Sequence, residues 1–326
     1  MKFYPEEIIF AATEACNLHC PHCFVKRNPD KLNITDAVNF LESCKKLSGL
    51  GIGEVVSNGE IPSIQKIGFS GGEPFLYIDF ILALVKYGVG NDLMFDQIMT
   101  NGDWWKGEDV LRDCLKKIFD AGYDGKIGLS WDIFHGQKTE RMITFINAVF
   151  DIFGEDSLNI QFVEPAKGLF SNGKSAGDSN DKIDKIDKKA YEAQLKDIKK
   201  AVKEFSIPFY VLQQSFPSKN PLAWQGKKWF SEDYCQGPGH ILYIHPTGDI
   251  APCCGFANEN PELFIGKITD SFETVLNNAK SNKMVKICYE EGLSSIAEAE
   301  IKAGKTFPGK CSDICTFCDY ACNNYR

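Results

Sequence analysis

The chain has no hydrophobic run of membrane-spanning length and no excess of basic residues, and each absence narrows its function. The apolar stretch from Ile8 to Ala12 is too short for a span or for the core of a secretory signal, and no other run approaches the required length. The expected setting is therefore the cytoplasm, with no membrane partner. The formal net charge is -8 and the pI is about 5.3, whereas a nucleic-acid binder normally presents a basic face to phosphates. Small molecules or peptides are the expected partners, and no nucleic acid is expected.

Cysteine, by contrast, is abundant. There are 13 among 326 residues, an odd number that a complete set of disulfides cannot absorb. In a reducing cytoplasm such thiols serve metal ligation or catalysis rather than cross-linking. Most of them cluster. Cys16, Cys20 and Cys23 crowd one early loop, Cys235, Cys253 and Cys254 lie late, and Cys311, Cys315, Cys318 and Cys322 close the sequence. Cys44, Cys114 and Cys288 stand alone in helix-like apolar patterns and read as core thiols, since free cysteine packs as a small hydrophobe.

A hydrophobic content of 44% suffices for one sizeable core and a smaller appended unit. Strand-like runs occur at 8–13, 66–69, 97–100, 126–131, 159–163 and 209–212. They alternate with amphipathic patterns at 35–48, 78–87, 108–121, 137–153 and 188–205. Repeated strand–helix alternation implies an α/β fold of parallel strands with crossover helices, either an open sheet or a partial barrel. Residues 168–187 are rich in Gly, Ser, Asn, Asp and Lys and read as a surface insertion, or as a cover over a site. After about residue 230 the pattern changes. The segment 241–252 alternates as a hairpin around Pro246, Thr247 and Gly248, and helix-like stretches follow near 271–286 and 291–303. The expected organisation is one domain over 1–230 and a small metal-centred domain over 231–326.

In Cys16-Asn-Leu-His-Cys20-Pro-His-Cys23, spacings of three and two residues let three thiolates from one loop converge. Zinc would want a fourth ligand from elsewhere, whereas three thiolates can hold three irons of a 4Fe-4S cubane and leave the fourth open. The motif alone leaves both readings open.

CxxxCxxC just after a first strand resembles the signature of the radical S-adenosylmethionine (radical SAM) superfamily. A second element, Gly71-Gly72-Glu73-Pro74 after the strand ending near Ser70, is similar to that family's GGEP motif, whose backbone meets the methionine amino group of SAM. Glycine suits it because a side chain would block close backbone approach. The resemblance implies a partial (β/α)6 barrel with SAM at the C-terminal ends of the strands. It also implies cofactor-facing positions at His22 (through its backbone), Asn101, Ser130 and Asp132. Capping of the following segment is the alternative role for Asn101, Ser130 and Asp132. The implied chemistry is reduction of the cluster by a flavodoxin- or ferredoxin-type donor and homolysis of SAM to a 5'-deoxyadenosyl radical.

Cys235, Gly248 and Cys253 follow the spacing C-x12-G-x4-C and closely resemble the opening of the auxiliary-cluster domains called SPASM and twitch. The resemblance implies one auxiliary 4Fe-4S cluster on Cys235, Cys253, Cys315 and Cys318, in a twitch-like domain. The ending Cys311-x3-Cys315-x2-Cys318-x3-Cys322 departs from the longer SPASM pattern. A second auxiliary cluster with full cysteine ligation would need both Cys254 and Cys288. The position of Cys254 resembles that of the hydrogen-atom donor in small radical SAM peptide epimerases; sulfatase-maturing relatives carry an acid/base aspartate there. The Thr-Asn-Gly-Asp-Trp-Trp and Ser-Trp-Asp-Ile-Phe-His stretches are also similar to the epimerase group. L-to-D epimerisation of a ribosomally made precursor peptide is thus the implied activity. Oxidative crosslinking or dehydrogenation with the auxiliary cluster as electron acceptor is the alternative, and a non-catalytic iron–sulfur carrier the reading outside enzymes. His240 is a further candidate near the substrate. With the first strand starting within ten residues, no leader-peptide-binding domain is expected ahead of it.

Overall fold

The computed structural model describes residues 3–51, 61–170, 186–231 and 240–325. Strands and helices alternate through the first two thirds: β1 (Glu7–Ala11), α1 (Ile34–Ser48), β2 (Lys66–Ser70), α2 (Ile78–Val89), β3 (Met94–Thr100), α3 (Glu108–Asp120), β4 (Lys126–Ser130), α4 (Thr139–Phe153), β5 (Leu158–Glu164), α5 (Lys188–Glu204) and β6 (Phe209–Gln213). Each strand pairs in parallel with its sequence neighbour, in the order β6-β5-β4-β3-β2-β1. Helix starts follow local polar chemistry. The Asn33 side chain accepts from Asp36 N–H ahead of α1, and Asp187 accepts from Lys189 and Ala190 N–H ahead of α5.

The strands sort their side chains with a period of two. Ile8 and Phe10 on β1, Ile127 and Leu129 on β4, and Leu158, Ile160 and Phe162 on β5 are buried in the hydrophobic core. The intervening positions, among them Gln97, Ser130, Gln161 and Val163, line a cavity of about 920 Å3 that β1 to β7 all border. The strands therefore wrap about a common interior without closing on themselves. Glycines help keep that interior open: a Cβ on Gly128 would lie 2.4 Å from Met99 Sδ and 2.8 Å from Gln97 Oε1. At its base Lys66 bridges Glu7 at 3.0 Å and Asp96 at 3.3 Å. Burial holds the Glu7 carboxyl above the usual range, reinforced by Asp96 and opposed by Lys66.

The late hairpin joins the same sheet. Strand β7 (Ile241–Ile244) pairs in parallel with β1, then β8 (Asp249–Ala251) and β9 (Gly266–Lys267) follow antiparallel. A nine-stranded sheet thus runs across the boundary expected at residue 230. The stretch expected as one helix near 271–286 is broken into α6 (Phe272–Ser281) and α7 (Lys283–Lys286). The cause is Asn282, whose side chain accepts from Val285 N–H and starts a new helix. A π-helical turn (Ile287–Glu291) and α8 (Leu293–Lys302) follow. The last cysteines lie on α9 (Ile314–Asn324), a helix the periodicity did not announce. Of the insertion at 168–187, residues 171–185 lie outside the described residues. No helix among the described residues is long and apolar enough to cross a membrane.

Phe10 is 0% exposed on the strand between β2 and β7. Replacing it with alanine is expected to cost about 3–5 kcal/mol, read as a lower midpoint in chemical denaturation.

Candidate active site

The cavity opens where the parallel strands end, and the loop after β1 supplies its three cysteines. Cys16 is half-buried, Cys20 buried and Cys23 exposed, and all three line the cavity. The loop is braced from several sides. Thr13 Oγ1 donates to Asp30 O at 2.9 Å, and Arg27 donates to Cys20 O at 2.7 Å. Cys16 Sγ accepts from Leu18 N–H at 3.4 Å and lies 3.7 Å from the donor Asn101 Nδ2. N–H donors on a ligand sulfur are a feature of cluster thiolates. Burial pushes the Cys16 thiol up, so the protonated thiol is inert until a metal displaces the proton. Three thiols on one face of a cavity with sulfur-directed donors fit a cluster with one open iron.

Gly71 and Gly72 line the same cavity, and their missing side chains answer to the protein's own backbone. A Cβ on Gly71 would lie 2.4 Å from Thr13 O, and one on Gly72 would lie 2.4 Å from Ala15 O. Gly72 N–H donates to Thr13 O at 2.7 Å and Glu73 N–H to Ala15 O at 2.8 Å, stitching this turn to the cysteine loop. Glu73 and Pro74 do not face the cavity; both are buried. The Glu73 carboxylate accepts from Phe75 N–H at 3.2 Å, Thr100 Oγ1 at 2.8 Å and Asn101 N–H at 2.8 Å. Burial raises its pKa to about 7, against the lowering effect of those donors. Glu73 thus ties the turn after β2 to the end of β3.

Asn101 and Ser130 line the cavity as expected. Gln137, which the sequence did not single out, donates to both of their backbone carbonyls at 2.6 Å and so joins the ends of β3 and β4. Asp132 departs from expectation. It is fully buried beneath the cavity, accepting from Phe134 N–H at 2.9 Å and pairing with His135 Nδ1 at 2.8 Å. Its carboxylate is spent on its own turn and on orienting His135, which does line the cavity. Burial alone would lower the His135 pKa, but the hydrogen bonds to Asp132 and Cys20 raise it to about 10. The His22 ring packs against Phe134 at 4.5 Å between ring centres, and burial lowers its pKa to about 4. His240 is misplaced for a substrate role. It is exposed before the start of β7, 3.9 Å from Glu6, at the opposite end of the sheet.

The C-terminal residues reach the same cavity over the top. Phe24, next to Cys23, stacks on Phe256 at 4.6 Å, and Lys26 meets Glu259 at 3.7 Å. Cys254 and Cys315 line the cavity with the first three cysteines. Tyr243, a further residue the sequence did not single out, lines it too. Burial pushes its phenol up, with smaller contributions from Glu259, Cys254 and Cys23, and its hydroxyl is bonded to Ser70. Cys253 lines a second, small cavity together with Cys288, Cys315 and Cys318. Cys288 and Cys44 are both buried in the hydrophobic core, as expected of them. Cys235 lies outside the described residues.

Residues 235–319 match the SPASM domain, an iron–sulfur cluster-binding domain. No curated protein sequence matches the chain. Among solved structures, native anSMEcpe with bound AdoMet and Cp18Cys peptide is similar at 15% identity, covering 99% of this chain and 100% of that one, with a TM-score of 0.53. BtrN in complex with AdoMet and 2-DOIA is similar at 15% identity, covering 89% and 90%, with a TM-score of 0.48. SuiB of Streptococcus suis bound to precursor peptide SuiA is similar at 15% identity, covering 96% and 76%, with a TM-score of 0.46. The chain has the radical SAM fold and carries a C-terminal SPASM domain.

A Gly72→Ala variant must push its turn off the cysteine loop, because the clash is with backbone at 2.4 Å. It is expected to bind less iron on anaerobic reconstitution than wild type, while far-UV circular dichroism stays close to wild type. In Glu73→Gln, an amide NH2 must face a backbone or hydroxyl donor, for an expected loss of about 1–3 kcal/mol in denaturation.

Proposed function

We propose that this protein is a radical SAM enzyme that modifies a ribosomally made peptide, with L-to-D epimerisation as its reaction and Cys254 as the hydrogen-atom donor. The observation that carries the reading is the single cavity lined by Cys16, Cys20, Cys23, Gly71, Gly72 and Cys254. Cys16, Cys20 and Cys23 would hold the 4Fe-4S cluster, and the turn of Gly71 and Gly72, with Asn101 and Ser130, the SAM. When bound, cluster and SAM supply a 5'-deoxyadenosyl radical after one-electron reduction by a flavodoxin- or ferredoxin-type protein, and that radical abstracts a hydrogen atom.

The chain's own part is to position and to enclose. The Glu73 bridge holds the turn after β2 and the end of β3 in one geometry, so SAM and substrate meet at a fixed distance. Phe24 stacks on Phe256 and adds apolar surface to the cavity wall next to Cys23. Cys254 comes from the C-terminal unit rather than from the cysteine loop, and the reading requires its S–H to reach a peptide Cα radical from the face opposite the abstraction. Hydrogen-atom delivery there inverts the centre and leaves a thiyl radical on Cys254, which an external reductant returns to the thiol with one electron and one proton. A peptide substrate is supported by the peptide bound in the anSMEcpe structure, and the volume of about 920 Å3 holds several residues' worth of side chain and backbone.

A second reading has its own observation. Cys315 lines both the large cavity and the small thiol-lined one. An auxiliary cluster there would sit next to the substrate and accept an electron, giving a crosslink or a dehydrogenated product. Product mass decides between the two. Epimerisation leaves the mass unchanged in H2O and adds one deuterium per inverted residue in D2O, whereas oxidation lowers it by about two hydrogens.

The Cys254→Ala variant is expected to release 5'-deoxyadenosine and yield no D-residue, scored by chiral amino-acid analysis of the hydrolysed peptide. D-residue formation at the wild-type rate would remove Cys254 as donor.

A further inference from the structure

The motif implies an auxiliary ligand set of Cys235, Cys253, Cys315 and Cys318, of which Cys235 lies outside the described residues. We propose that Cys288 is a ligand of the auxiliary cluster, completing a four-thiolate site with Cys253, Cys315 and Cys318. The inference rests on reading residues 235–319 as a domain that binds a cluster.

Three observations bring these four thiols together. First, Cys253, Cys288, Cys315 and Cys318 line one small cavity whose other walls are mostly apolar, such as Leu263 and Leu293. Four thiols around one apolar cavity form a donor set suited to a 4Fe-4S cluster. Second, Cys288 lies in the π-helical turn Ile287–Glu291. A π turn inserts an extra residue into a helix and shifts its side chains around the axis, and such turns recur at functional sites. Its cap Gly292 has φ +85°, which returns the chain to helix in α8.

Third, the segments carrying the other ligands are fastened to this turn and to each other. Tyr289, 1% exposed, donates its hydroxyl to Pro252 O at 2.7 Å, joining the residue after Cys288 to the residue before Cys253. Cys288 Sγ lies 3.7 Å from Cys318 Sγ. A Cβ on Gly255 would lie 2.7 Å from Cys315 Sγ, so the turn after Cys253 sits directly on that thiol. Asp313 accepts from Cys315 N–H at 2.9 Å and starts α9, and a spacing of three residues along a helix puts Cys315 and Cys318 on one face.

None of the other late cysteines among the described residues lines that cavity. Cys311 Sγ donates to Asp313 O at 3.0 Å, and burial pushes its thiol up to about 11. Cys322 follows Cys318 by one helical turn and is hydrogen-bonded to its thiol, without itself lining the small cavity. Cys254 faces the large cavity instead. The assignment leaves it there for chemistry.

The test uses the full chain with Cys16, Cys20 and Cys23 replaced by alanine, so that only the auxiliary cluster remains. Anaerobic reconstitution of this background is expected to bind about four irons with a reduced 4Fe-4S signal in electron paramagnetic resonance. Adding Cys288→Ser should shift the g values or Mössbauer parameters, because an oxygen replaces a thiolate on one iron. Adding Cys288→Ala should lower the bound iron, with circular dichroism as the check on folding. Cys322→Ser, which keeps a hydrogen-bonding group beside Cys318, should leave the bound iron unchanged. An unaltered spectrum and iron content in Cys288→Ser and Cys288→Ala, with loss of the cluster in Cys235→Ser, overturns the proposal. A background protein that binds no iron at all would sink the cluster-binding reading first, and the ligand assignment with it.

Discussion

The site depends on two backbone segments that touch without side chains between them. The turn of Gly71 and Gly72 packs on Thr13 and Ala15 at a distance no Cβ would tolerate, and two N–H···O bonds hold it there. This contact sets the cysteine loop against the end of β2. Glu73 then extends the constraint to β3 through Thr100 and Asn101, and Gln137 carries it to β4. The first four parallel strands are thus tied at their C-terminal ends by short polar links. A buried carboxylate with three donors is costly to disturb, because each donor would be left unpaired.

Around that fixed rim the barrel interior is left open. Polar residues such as Gln97, Ser130 and Gln161 face inward beside apolar ones such as Ile9, Met99 and Val163, and most hydrophobic burial comes from the outward faces packed on α1 to α5. The division separates the work of stability from the work of binding. Helices on one face of the sheet supply the buried area, and the other face is free to hold cofactor and substrate.

The C-terminal unit is joined to this scaffold through backbone pairing. Strand β7 lies in register beside β1, so the turn after β8 is held at the same end of the sheet as the first cysteine loop. Phe24, next to Cys23, stacks on Phe256 of the C-terminal unit. Adjacent residues then part company. Cys254 faces the large cavity and Cys253 the small one.

Much of this was legible in the residues themselves. Six parallel strands and five crossover helices followed from periodicity, because alternation and 3.6-residue spacing are local signals. The pairing of CxxxCxxC with Gly-Gly-Glu-Pro was equally local, since a loop of three close cysteines and a turn of two glycines each carry their chemistry in the chain order. What the residues did not disclose depends on distant partners. Asp132 looked like a ligand-facing group and is buried, because its acceptors are satisfied by its own turn and by Val163 on the next strand. Tyr243 and Gln137 showed no motif, yet each bridges groups far apart in sequence. Cys288 looked like a core thiol, because an apolar pattern around it says only that it is buried. Which groups lie beside that buried thiol, Cys318 among them, is decided by the π turn, by Tyr289 on Pro252 and by the docking of α9. Sequence alone determined which residues had the chemistry; tertiary structure decided which of them share a cavity, because convergence in space is set by packing between segments and not by order along the chain.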